Sequence, residues 1–410
     1  ALLVCLDTGE YDAESSLAEL SELVKSAGAD PAFTLAQKRP APDTATCVGS
    51  GMAQEVAELC RKEELDLVIF DRELSPTQIR NLEKLCSIRV IDRTMLILDI
   101  FALRAQSREG KLQVELAQLK YLLPRLTGQG TALSRLGAGI GTRGPGEKKL
   151  EIDRRHIQSR MDEIRKEIRE VQKSREVQRS RREKSEIPVV ALVGYTNAGK
   201  SAMMNALLRK TEKEEKSVME KNMLFATLDV SQRKIRLDTN REFILVDTVG
   251  FVSRLPHSLV EAFKGTLEEV LYADLLVEVV DASSEDCEFN MSVTETVLRE
   301  IGAGDIPHIV AFNKMDLVES EDKLPIVPQK TFCVSAKEDS GIDELIEAVG
   351  SVIYADLRTA ELLIPYAQGQ ISSYLCEKCT VHRMDYRDEG TYFSVDLNTA
   401  DYNRLTPYFI

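Results

Sequence analysis

One stretch constrains this chain more than any other: Val189-Val-Ala-Leu-Val-Gly194-Tyr195-Thr196-Asn197-Ala198-Gly199-Lys200-Ser201. An unbroken apolar run reads as a buried strand. It enters a turn with glycine at both ends and Lys-Ser at its close, and Ala202-Met-Met-Asn-Ala-Leu-Leu208 then reads as a helix. Strand, glycine-rich loop and helix in that order demand an α/β sheet with the loop at the strand's carboxyl end. They also demand a ligand of a particular kind. The glycines let the backbone of Gly194, Tyr195, Thr196, Asn197, Ala198, Gly199 and Ala202 wrap a phosphate chain, with loop amides and the helix N-terminus aimed at the anion. Lys200 is expected to reach the β- and γ-phosphates, and the Ser201 hydroxyl to ligate Mg2+.

Further short motifs follow in chain order, most of them at the end of an apolar run. Thr227, in Leu224-Phe-Ala-Thr227-Leu, can close over a γ-phosphate and share the Mg2+. Phe243–Val246 ends in Asp247-Thr-Val-Gly250, where Asp247 is a third expected Mg2+ ligand and the Gly250 amide a γ-phosphate sensor. Lys200, Thr227 and Gly250 are thus the residues expected to carry the chemistry. Ile309–Phe312 ends in Asn313-Lys314-Met315-Asp316. The Asp316 carboxylate can accept from the N1 and N2 donors of guanine, which adenine lacks; Asn313 would tie this loop to the phosphate loop, and the Lys314 stem would lie along the base. Val334-Ser335-Ala336-Lys337 supplies a last base-contact loop. Sites at the carboxyl ends of strands are where open α/β sheets bind ligands. The expected ligands are GTP and GDP with Mg2+, and the expected reaction is phosphoryl transfer to water. Phe251 follows Gly250, and an apolar ring cannot orient water, so slow intrinsic hydrolysis is expected. Asn197 is placed to help hold K+ beside the phosphates.

Around this domain, set at 187–357, the sequence implies three others. Residues 1–92 alternate short apolar runs, including Phe33–Ala36 and Thr46–Val48, with helical patterns. That alternation gives a small, largely parallel α/β sheet in which Gly49-Ser50-Gly51 is a plain strand-to-helix turn. Residues 93–186 carry Leu112, Leu116, Leu119, Leu123 and Leu126, then Ile157, Met161, Ile164, Ile168 and Val171. Both series step by four and three, the seam spacing of an antiparallel two-helix coiled coil, with Pro124 expected to kink or end the first helix. Residues 358–410 read as a small α/β domain in which Cys376 and Cys379 are core thiols rather than metal ligands with His382.

Charge distinguishes the hairpin. The chain carries a net −14, yet residues 148–186 hold 14 Lys and Arg against 9 Asp and Glu, below a connector rich in glycine. A flexible basic tip suits contact with the phosphate backbone of structured RNA, and Arg143, Lys148 and Lys149 are the expected contacts. No apolar run approaches the roughly 20 residues of a membrane span. Cysteines scattered through apolar surroundings read as reduced thiols, which suits the cytoplasm. Ala1–Leu6 reads as a strand already under way, without the basic flank of a signal peptide, compatible with a natural start further upstream.

Gly141-Thr-Arg143-Gly-Pro-Gly146-Glu147-Lys-Lys-Leu150-Glu151-Ile-Asp153-Arg-Arg155 resembles the signature between the two long helices of the HflX-type GTPases. Gly194–Ser201, Leu224–Asp229, Asp247–Val252 and Asn313–Asp316 resemble the same group. The resemblance spans nearly the whole chain. It departs from the family pattern at Lys148 and Ala202, where Thr is usual, and at Met52, where Lys is common. It implies an N-terminal domain of two subdomains, a central G domain and a short C-terminal domain. It further implies binding to the large ribosomal subunit and its RNA, and splitting or rescue of stalled ribosomes; separately from the resemblance, a monomer is expected. A GTP-licensed ribosome-binding module with little hydrolysis is the alternative expectation.

Overall fold

The computed structural model describes residues 1–126, 145–183, 187–211, 225, 231–238, 241–254, 269–320 and 324–410, with backbone alone for 145–150, 174–183 and 238. Thr227 and Arg143 lie outside the described residues, as do the side chains of Lys148 and Lys149. The architecture is α/β and multidomain, and the chain divides into two compact units.

The first unit holds four parallel strands, β1 (Leu2–Asp7), β2 (Phe33–Lys38), β3 (Leu67–Phe70) and β4 (Arg89–Asp92), ordered β2-β1-β3-β4. Leu2, Leu3, Val4 and Cys5 are all buried, because a parallel strand between helical layers has no wet face. Helices α1 (Ala13–Ser26), α2 (Ser50–Lys62) and α3 (Pro76–Cys86) make the crossovers. Gly49 caps α2 and donates its amide to Gln37 Oε1 at 2.7 Å, as befits a plain turn. Ser75 and Gln78 form a reciprocal capping box at the start of α3. The strand expected at Thr46–Val48 is not formed. Asp43 Oδ1 accepts the amides of Ala45 and Thr46, and the Asp43 and Cys47 backbones pair across the bend. A short Asx-type turn outcompetes extended pairing there.

Helix α4 (Arg93–Arg104) buries Leu96, Ile97, Ile100 and Phe101 and packs against α1, β3 and β4. Arg93, at its first position, is 3 % exposed. Its guanidinium meets Asp71 Oδ1 at 2.8 Å, the Glu19 carboxylate, and Ser253 Oγ at 3.2 Å. Arg254, also of this unit, donates to Asp71 Oδ2 at 3.0 Å and lies 4.1 Å over the Tyr11 ring. Helix α5 (Arg108–Leu126) carries Pro124 in its final turn. Its partner α6 (Pro145–Glu183) is an unbroken 39-residue helix. Leu112, Leu116, Met161 and Ile164 are buried between them, flanked by Leu119, Leu123, Ile157 and Ile168. Arg108–Glu167 and Arg160–Glu115 ion pairs fix the antiparallel register.

The second unit is built on six strands ordered β10-β9-β8-β5-β7-β6. These are β5 (Val189–Val193), β6 (Ser231–Asp238), β7 (Arg241–Asp247), β8 (Leu275–Asp281), β9 (His308–Asn313) and β10 (Lys330–Cys333). All neighbours are parallel except β6, which pairs antiparallel with β7. Helices α7 (Lys200–Thr211) and α9 (Ile342–Ile353) bury one face through Met203, Met204, Leu207, Leu345 and Val349. Helix α8 (Cys287–Ile301) lies with Val280, Val310 and Phe312.

The chain then forms β11 (Arg358–Ile364), α10 (Gly369–Lys378), β12 (Thr380–Arg387), β13 (Gly390–Leu397) and α11 (Thr399–Leu405). The three strands make an antiparallel sheet, β11-β13-β12, over Leu362, Leu375, Phe393 and Val395. Arg241 and His382 both pair with the buried Asp396 carboxylate, which also accepts from Thr359 Oγ1 at 2.7 Å. Cys379 is a core thiol as expected, but Cys376 is exposed. Cys376 lies within α10, whereas Cys379 follows the helix as its C-cap in extended backbone, so the helical repeat does not carry both thiols to the same side.

Candidate functional site

Strand β5 delivers the chain to Gly194, where the backbone turns at φ +137° and a Cβ would fall 2.2 Å from the Val279 carbonyl oxygen. At Gly199, φ is +95° and a Cβ would sit 2.3 Å from Asn313 Nδ2. Both approaches exclude any side chain. Asn197, at φ +62°, takes the left-handed conformation that Asn tolerates better than most residues. The loop therefore closes tightly, and α7 begins at Lys200 with its N-terminus facing the cradle.

Lys200 is buried, and its Nζ donates to the carbonyl oxygens of Gly194 and Tyr195 at 3.0 and 2.8 Å. Burial lowers the ammonium pKa to about 8, with Asp247 pulling the other way. Ser201 Oγ donates to Asp247 Oδ2 at 2.7 Å. A hydroxyl from the first turn of α7 thus meets a carboxylate from the end of β7. Paired oxygen donors beside a phosphate cradle fit Mg2+, which takes hard oxygen ligands and fills its other positions with phosphate and water. Thr248 Oγ1, donating to the Leu192 carbonyl at 2.6 Å, pins the chain just past β7.

Gly250 is placed so that a Cβ would lie 2.7 Å from Thr196 Cα and 3.0 Å from Lys200 Nζ. Only glycine lets this segment approach the loop. Phe251 continues the contact: its N–H donates to the Gly194 carbonyl at 3.2 Å, and its carbonyl accepts from Thr196 N–H at 2.6 Å. The Phe251 ring is 2 % exposed, so no side chain at this position faces water.

The base-end loops converge through one side chain. Asn313 Nδ2 donates to the Ala198 carbonyl at 2.9 Å, and Asn313 Oδ1 accepts from Ala336 N–H at 3.0 Å. The phosphate loop and the 334–337 loop are thereby bound to the end of β9. Asp316 Oδ1 accepts from Ser335 Oγ at 2.7 Å, and its other oxygen lies 3.7 Å from Lys337 Nζ. The Ser335 hydrogen bond, with a smaller contribution from Lys337, holds the carboxyl below its ordinary pKa. Lys314 stands at φ +64° with Nζ 2.6 Å from Asp281 Oδ2. Asp281 and Thr248 are the participants that motif reading did not single out. The clue to Asp281 was present: β8, like β7, ends on a carboxylate.

Sequence profiles of known families cover most of the chain. One described as "GTP-binding GTPase N-terminal" matches residues 14–102, and one described as "GTP-binding GTPase Middle Region" matches 104–182. A third, described as "50S ribosome-binding GTPase", matches 189–314. GTPase HflX of Caldanaerobacter subterraneus is 46 % identical over 410 residues, covering 100 % of this chain and 94 % of the relative. The chain belongs to the HflX GTPases. Other HflX members are similar across nearly their full length: the Lacrimispora saccharolytica protein at 42 % identity over 95 % of this chain and 92 % of its own, and the Escherichia coli protein at 40 % over 97 % and 93 %. The chain is therefore an enzyme that hydrolyses GTP. No described helix is long and apolar enough to cross a membrane.

Proposed function

We propose that this HflX GTPase holds guanine nucleotide and Mg2+ in the cleft described, and uses that state to govern docking of its helical hairpin on the large ribosomal subunit. In this reading the backbone of residues 194–199, with the α7 N-terminus, cradles the phosphates, and Lys200 neutralises charge on the β- and γ-oxygens. Ser201, Asp247 and Thr227 would hold Mg2+, which would supply charge stabilisation for the leaving phosphate. Gly250 offers its amide to the γ-phosphate, and Asp316 reads the guanine edge with Ser335, Ala336 and Lys337 beside it. Asn197 contributes a carbonyl toward K+; equal rates in K+ and Na+ buffers would remove that role. Arg143, Lys148 and Lys149 meet ribosomal RNA.

The observation that carries the proposal is the Asn313 bridge, which joins the phosphate loop and both base-end loops into one preformed receptor. The buried Phe251 ring supports slow intrinsic turnover, because the enzyme brings no side chain to the attacking water from that position. It equally favours a second reading, in which GTP only licenses docking. Single-turnover hydrolysis with and without purified large subunits tests the two. Acceleration by subunits is the expected result; an unchanged rate with intact subunit binding would establish the licensing module instead.

A further inference from the structure

We infer that Asp281 is a positioning residue for guanine-nucleotide binding, acting through Lys314. The inference rests on the assignment of the Asn313–Asp316 loop to the base. Lys314 leaves β9 in a left-handed conformation that is unfavourable for a residue with a long side chain, so something must hold it there. Its Nζ reaches the end of the neighbouring strand β8, where Asp281 Oδ2 lies at 2.6 Å. The four-carbon stem is thereby stretched from the end of β9 to the end of β8 across the rim of the sheet.

The carboxylate is itself immobilised. Asp281 Oδ1 accepts from Ser283 N–H at 3.0 Å and Ser283 Oγ at 2.6 Å. The adjoining backbones are joined by Ala282 N–H donating to the Asn313 carbonyl at 2.9 Å. Asp281 and Asn313 are register partners in the sheet, so the anchor and the loop it serves share one rigid edge. A lysine held at both ends presents its methylenes as a fixed apolar wall for a planar base. A free lysine would have to surrender rotamer freedom each time a nucleotide bound. Asp281 therefore sets the residence time of the nucleotide without touching it, while discrimination among bases stays with Asp316.

The test is dissociation of a fluorescent GDP analogue by stopped flow, with inosine diphosphate affinity measured in parallel. Asp281→Asn keeps the acceptor for Ser283 and removes the charge; release about tenfold faster is expected, with the guanosine-to-inosine preference unaltered. Lys314→Met should release faster too, and the double variant no faster than Lys314→Met alone, since the two act as one unit. Asp281→Glu should recover most of the loss, which a merely structural defect would not allow. Wild-type release from Asp281→Asn, or additive effects in the double variant, would overturn the role of Asp281. Wild-type release from Lys314→Met would instead overturn the base-loop assignment beneath it.

Discussion

Lys200 shows how far one residue's surroundings reach into the behaviour of the site. Its ammonium, drawn down to about 8 by burial, is largely charged at neutral pH and largely neutral at pH 9. A bound phosphate chain favours the charged form, so binding takes up a proton wherever the free lysine has lost it. Nucleotide affinity should therefore be flat below pH 7 and fall as pH rises through 8, by about tenfold at pH 9. Calorimetry in buffers of differing ionisation heat would reveal the proton uptake. Asp316 makes a second prediction: Asp316→Asn should transfer preference from guanosine to xanthosine nucleotides, and retained GTP selectivity would refute the assignment. Both residues were legible in the sequence because glycine spacing and strand ends mark them. Phe251 was legible only as a ring unable to orient water; that its backbone pairs with Gly194 and Thr196 depends on how β7 and β5 align, which spacing does not encode.

Strand β8 illustrates the same divide at the level of the element. Leu275–Val280 is apolar at every position but one, and all the residues of β8 except the last are buried. One of them is Glu278, 6 % exposed, whose carboxyl is pushed up to about 7 by burial and by the nearby Glu295. The folded protein then binds this proton more tightly than the unfolded chain does. Stability should decline as pH rises from about 4.5 to 7 and level off above, where the ionised buried form carries its full penalty. Glu278→Gln should accordingly stabilise the protein at pH 8, by at most on the order of 3 kcal/mol, and do little at pH 5. Thermal unfolding at the two pH values decides it. Two segments show where local pattern falls short of the fold. At Thr46–Val48 a local carboxylate captured the amides a strand would have needed. β12 went unmarked because, as an edge strand, it leaves Met384 and Tyr386 exposed and shows little apolar periodicity.

At the scale of the whole molecule, the hairpin carries the prediction about partners. Reversing charge at Arg143, Lys148 and Lys149 together should weaken co-sedimentation with large ribosomal subunits while leaving GTP affinity untouched; unchanged sedimentation would end the RNA-contact assignment. The leucine and isoleucine steps made the pairing of α5 and α6 readable, since seam spacing survives without knowledge of any partner domain. What could not be read is that α6 runs on unbroken well past both ends of that seam. At 1.5 Å per residue a helix of this length is a rod of about 58 Å. Mechanically it behaves as a boom: a tilt of about 10° at one end sweeps the other through about 10 Å, the height of roughly two helical turns. A small adjustment at the foot becomes a displacement at the head large enough to move past an obstacle of molecular size.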